Sequence, residues 1–245
     1  MAEPTFFNSP VSMYKWFLQD HRRVLHDVVD YAVYDYRART AKTFKEAAKC
    51  LQVTYRQDIK EAEKKAETVY HKYTGGAMVG VNAKVVWDYI AKDEPTERDL
   101  MQFLGYMALK SIIGKAGYKR IINDLFLSRM AGETKTIPAT QLPDEIAKYG
   151  TRRRLDRLKG ELIDSWGLAA YGQSTRGWFA SFTLPLPDLI CHVEGNRAKN
   201  KAEKRRVDMQ AAKEIARQRM AGIAPAKDEI KQPEKVPETD EDWPF

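Results

Sequence analysis

Residues 151–184 change hydrophobic period in mid-run, and few folds accommodate such a change. TRRRLDRLKGELIDSWG spaces Leu155, Leu158, Leu162 and Trp166 at three and four, which is one face of a helix, and puts its charge on the opposite face. Thr151, just ahead of it, is a residue type that caps helices. LAAYGQ, STRG and WFASFTL come next and read as two short strands around a turn built from Ser174, Thr175 and Gly177. A helix of this kind packs its leucines on a domain and turns Arg152, Arg153, Arg157 and Lys159 outward. Those cations either form a solvated face balanced by Asp156, Glu161 and Asp164, or they meet an anionic partner.

The preceding segment supplies the rest of a module. Thr96 and Asp99 have capping-box spacing, with Asp in place of Glu. DLMQFLGYMALKSIIG, 99–114, is apolar enough for a central helix. YKRIINDLFLSRMAG, 118–132, reads as an amphipathic helix stopped by Gly132, and TQLPDEIAKYG as a short helix ending at Gly150. Helix, short helix, tight turn, helix and hairpin across 118–184 resemble the winged helix-turn-helix of DNA-binding proteins. The resemblance implies that the helix at 151–166 enters the major groove. Arg152, Arg153, Arg157 and Lys159 would reach phosphates or guanine edges, the helix start would favour a phosphate, and Arg176 at the turn would touch the neighbouring backbone or minor groove.

Nearer the N-terminus, residues 11–37 place Trp16, Leu25, Val28, Val29, Ala32, Val33 and Tyr36 at helical spacing, with a break near Asp20. FKEAAKCLQVTYRQDI, 44–59, is similar to the first two helices of a second helix-turn-helix. Ala47 and Ala48 permit a close crossing, Leu51 and Val53 fill the turn, and Ile59 anchors the following helix. Gln52 stands where that family usually has the glycine that tolerates a left-handed backbone. The resemblance implies that Thr54, Tyr55, Arg56 and Lys60 face DNA; a plain helical hairpin is the alternative. TGGAMVGVN, 74–82, is a glycine-rich break without the Lys and Ser/Thr of a phosphate loop.

Charge divides the chain unevenly. Residues 227–245 carry three lysines against seven carboxylates, so the total of +7 conceals −4 there and +11 on residues 1–226. A basic body favours a polyanion. GNRAKNKAEKRRVDMQAAKEIARQRMAG, 195–222, is helical in pattern and has nine Lys or Arg against three acids, with Lys204, Arg205 and Arg206 as phosphate contacts. The Pro-punctuated, charged remainder is expected to be disordered. Its ending, ETDEDWPF, resembles the C-terminal tip of bacterial single-stranded DNA-binding proteins. That implies recruitment of a replication or repair protein through Asp240, Glu241, Asp242, Trp243, Pro244 and Phe245, with Trp243 where the familiar tip is aliphatic. A solubilising acidic tail is the plainer reading.

The expected architecture is mainly α: tandem winged-helix-like modules at 1–82 and 83–194 with a small β-hairpin wing, a basic helical extension at 195–222 and a disordered acidic tail at 223–245. Two such modules look like the replication initiators and replisome organisers of plasmids and phages; transcriptional regulators share the module. A single-stranded DNA binder, with Trp178 and Phe179 stacking on bases, is a further reading. His21, His26, His71 and His192 lie in unrelated segments, and no nucleophile elbow, paired metal motif or phosphate loop accompanies them. No enzymatic activity, cofactor or metal is therefore expected. Cys50 and Cys191 could form at most one bridge, and there is no signal-peptide pattern or membrane-length apolar run. A cytoplasmic location, in a bacterial cell or a phage-infected host, is the expectation.

Overall fold

A computed structural model describes residues 6–14, 21–73, 76–92, 95–174 and 177–220. The fold is mainly α with two small antiparallel sheets. Two units divide the chain, Met1–Leu186 and Pro187–Phe245.

The first unit opens with strand β1 (Phe6–Pro10) and the short helix α1 (Val11–Tyr14), followed by α2 (His21–Thr40). The expected break near Asp20, with Trp16, lies outside the described residues. Thr40 ends α2, and Ala41 takes a left-handed φ of 52°. Helix α3 (Phe44–Cys50) starts from a complete capping box. The Thr43 hydroxyl accepts from the Glu46 N–H, while the Glu46 carboxylate accepts from the Thr43 N–H at 2.9 Å. Phe44, Ala47 and Ala48 are its buried face. The turn after it has a left-handed residue at Gln52, φ 59°, and the Val53 N–H returns to the Ala48 carbonyl at 2.9 Å. Asp58 then caps α4 (Ile59–Lys72) by accepting from the Lys60 N–H. Ala62, Ala66 and Val69, at helical spacing, are the buried face of α4.

Within the stretch read as a glycine-rich break lies strand β2 (Met78–Asn82), which pairs with β1 from Phe6↔Asn82 to Pro10↔Met78. Phe7, Ser9, Val79 and Val81 form its buried face, so the period-two pattern is present but short. Asp35 on α2, itself buried, holds β1 in place. Its carboxylate accepts from the Asn8 N–H at 2.9 Å and from Arg39 Nε at 2.7 Å, and Arg39 Nη2 donates to the Phe6 carbonyl.

Asn82 ends β2 and caps α5 (Ala83–Ile90), accepting from the Lys84 N–H. Helix α6 (Glu97–Ile113) begins with the Thr96–Asp99 capping box and buries ten residues from Met101 to Ile113, as expected of a central helix. Tyr89 of α5 stacks on its Phe103 at 4.1 Å, and a single hydrophobic core runs from Phe7 to Ala180.

Residues 119–121 depart from expectation: they form strand β3 (Lys119–Ile121), and the helix read from 118 starts later, as α7 (Asn123–Met130). Gly132 comes after it with φ 84°, the left-handed stop anticipated there. A short helix α8 (Asp144–Ala147), continued by a 3₁₀ turn to Gly150, precedes α9 (Arg152–Trp166). Gly167, φ 68°, ends α9 and leads into β4 (Ala169–Ser174) and β5 (Gly177–Ser181). The sheet order is β3-β5-β4, all antiparallel, with Ile121 opposite Trp178 and Tyr171 opposite Phe179. Gly177 has φ 116°, and a Cβ there would stand 2.4 Å from the Ile121 carbonyl oxygen, so only glycine fits. Ser181, fully buried, ties the end of β5 down. Its hydroxyl donates to the Gly117 carbonyl at 2.6 Å and accepts from the N–H groups of Thr183 and Leu184.

The described part of the second unit is helical: it is α10 (Leu186–Met220) from Pro187 onward, the whole helix having 35 residues and so being about 52 Å long at 1.5 Å per residue. Among the described residues no helix is long and apolar enough to cross a membrane.

Candidate nucleic-acid interface

Helix α9 is positioned by its stripe. Leu155, Leu158 and Leu162 are buried, and Trp166 lies against Tyr106 of α6 at 4.7 Å while its indole N–H donates to Gln102. Gly105 of α6 makes the crossing close, since a Cβ there would meet Leu162 at 3.2 Å. Thr151 holds the N-cap position with extended backbone, but its hydroxyl makes no cap hydrogen bond. The first N–H groups of α9 are thus left without the side-chain acceptor that the sequence suggested.

On the outward face, Arg152 and Arg153 are exposed. The Arg152 side chain is 95% exposed, and its Nε lies 3.7 Å from Asp156, a pair worth little in water. Arg157 is also outward, with its Nε 3.2 Å from Glu161. Gly160 has nothing within 4 Å of where its Cβ would be, so packing does not require a glycine there.

Lys159 is not part of this face. Its side chain is only 16% exposed, and its ammonium sits 3.1 Å from Asn123 Oδ1 and 4.7 Å above the Trp178 ring. Burial lowers its pKa, with Asp156 partly offsetting this. The reason is angular: position 159 borders the leucine stripe, and the hairpin closes over that border. Trp178, buried under this ammonium and against Phe126, has no free face for a nucleobase. Arg176 lies outside the described residues.

In the N-terminal block Thr54, Arg56 and Lys60 are exposed, the first two on the loop before α4 and the last in its first turn. Tyr55 turns inward instead. Its ring packs on Phe44 at 5.4 Å and its hydroxyl is buried; burial and the nearby Asp30 carboxylate push its pKa up. Lys204, Arg205 and Arg206 are exposed on α10, Arg206 with a 2.7 Å pair to Glu203. Asp240, Glu241, Asp242, Trp243, Pro244 and Phe245 lie outside the described residues.

One flank of α9 gathers cations that its local pattern does not single out. Arg98 from α6, Lys148 from the turn before α9, and Arg154 line a groove with Arg157, Tyr149, Leu158 and the carboxylates of Glu97 and Glu161. Arg154 belongs to the arginine run, but Arg98 and Lys148 come from segments with no signal of their own. No protein-family model matches the chain, and no curated protein and no solved structure matches it either.

Proposed function

We propose that the chain binds duplex DNA through the outward face of α9, as a winged-helix protein of the replication-initiator or replisome-organiser type, and that residues 240–245 bring in a replication or repair protein. The observation that carries this reading is the placement of Arg152 and Arg153. Both are exposed, their charge unspent inside the molecule, on a helix whose leucine stripe is buried and which leads directly into a β-hairpin. The order α6, β3, α7, α9, β4, β5, with β5 central in the sheet, supports a winged-helix assignment. The net +11 over residues 1–226 supports a polyanionic partner. The burial of Trp178 weighs against base stacking at that position and so favours duplex over single-stranded DNA.

The test is a salt titration of binding to a labelled duplex. Arg152→Ala with Arg153→Ala is expected to weaken binding and to reduce the slope of log K against log salt by about 1.8, at about 0.9 per phosphate contact. An unchanged slope overturns the assignment of those contacts, and tighter binding to a single strand of equal length overturns the duplex reading. Deleting Trp243–Phe245 is expected to abolish partner capture and leave DNA affinity intact; retained capture removes the recruitment role.

A further inference from the structure

We propose that the groove on the flank of α9 is a seat for a phosphodiester of the DNA backbone, built as a two-arginine clamp on one largely covered carboxylate. The inference rests on the DNA reading and adds to it residues from outside α9.

Glu161 is the hub. Its side chain is 12% exposed, and its Oε1 forms an ion pair with Arg98 Nε at 2.8 Å and accepts a hydrogen bond from Arg157 Nε at 3.2 Å. Its Oε2 accepts from Gln102 Nε2 at 3.0 Å, and Gln102 Oε1 in turn accepts from the Trp166 indole N–H at 3.2 Å. The carboxylate is therefore held from below by α6 and by the packed tryptophan, while guanidinium groups from two different helices converge on one oxygen. Each arginine spends only its ε nitrogen on this anchor. Among the described residues no partner is placed on the η nitrogens of either, and the two side chains are 59% and 71% exposed.

The rim continues the same charge. Arg154 Nη1 donates to the Lys148 carbonyl at 3.3 Å, and Lys148 Nζ pairs with Glu97 at 2.5 Å. Four cations against two carboxylates leave the groove at +2. Planar forks fixed in advance suit a tetrahedral oxyanion better than a single ammonium does, because less side-chain freedom is lost on binding. Arg157 stands on the outward face of α9 as well as in the groove. An oxyanion seated there is thus continuous with the surface that Arg152 and Arg153 present. A contact of this kind sets register on the duplex without reading its sequence.

Binding of the full-length chain to two unrelated labelled duplexes, at salt from 50 to 200 mM, tests the clamp. Arg98→Ala and Arg154→Ala are each expected to weaken binding about three- to tenfold, equally on both duplexes, and to lower the salt slope by about 0.9. Arg154→Ala spares the Glu161 anchor, so it carries the test should Arg98→Ala unfold. Wild-type slopes in both variants, beside a reduced slope in Arg152→Ala with Arg153→Ala, overturn the clamp and leave the α9 reading intact. No duplex binding by the wild type overturns both. The Nε–H resonances of Arg98 and Arg157 are expected to shift with duplex and not with inorganic phosphate at matched ionic strength. Saturable shifts with inorganic phosphate alone would reassign the seat to a free phosphate and overturn the backbone as its occupant.

Discussion

Replacing Gly177 by alanine tests whether the hairpin beside α9 is held by a single glycine. The φ of 116° is one that side-chain-bearing residues rarely adopt, at about 1–3 kcal/mol. The added Cβ would lie 2.4 Å from the Ile121 carbonyl oxygen and 3.1 Å from its carbon. Those atoms are backbone, so relief requires β3 to move away from β5, where three residues are in register. Losing one or two ladder hydrogen bonds adds about 1 kcal/mol each, for a total of about 2–5 kcal/mol. In urea, with a slope of about 2 kcal/mol per molar, the midpoint is expected to fall by about 1–2.5 M. Gly160→Ala is the control. Nothing lies within 4 Å of its Cβ position on α9, and the same substitution there is expected to stabilise by about 0.5–1 kcal/mol. A Gly177→Ala variant within about 0.5 kcal/mol of the wild type would refute the reasoning, since ordinary surface changes fall in that range.

Gln52→Gly should raise stability by about 0.5–1 kcal/mol, read from a denaturation midpoint, because it relieves a left-handed φ of 59° at an exposed turn; no gain would count against strain in that turn. Ser181→Ala should cost about 1–3 kcal/mol by leaving the Thr183 and Leu184 N–H groups without their acceptor in a buried site, measured the same way. Asp99 is held down at about 2 from its ordinary 3.8, chiefly by the Lys92 ammonium and then by the Thr96 cap. A carboxylate depressed on folding stabilises above its unfolded value, so this contribution should be complete above 3.8 and vanish as pH falls through about 2. Asp99→Asn should flatten stability across that window; an unaltered profile would contradict the pairing.

The features legible in the sequence were periodic and local. The stripe of α9, the Thr96–Asp99 cap, the Gly132 stop and the left-handed position at Gln52 all depend on neighbours within a few residues. The hairpin strands β4 and β5, adjacent in sequence, were legible too, but β1, β2 and β3 escaped because they depend on distant partners. Phe6–Pro10 and Met78–Asn82 pair across about 70 residues and contain Pro10 and Gly80, both poor strand signals, and β3 is three residues long. Site residues divided the same way. Arg153 is outward by helical angle alone, whereas Arg152 and Lys159 share nearly one angle and differ because the hairpin covers only Lys159; Lys159 and Tyr55 are drawn in by Trp178 and Phe44, whose positions no local pattern reveals. Arg98 becomes a neighbour of α9 only once α6 crosses it at Gly105.

Asn82 is both the last residue of β2 and the cap of α5, so no slack chain separates the N-terminal block from α5 and the helices after it. With Phe7 of β1 stacked on Trp87 of α5 and one core running from Phe7 to Ala180, the two halves are packed together rather than strung like beads. A target touched by both would have to present its two contact points at a fixed distance and twist. Severing the polypeptide after Asn82 would yield two fragments, each with an uncovered greasy side, instead of two self-sufficient folds.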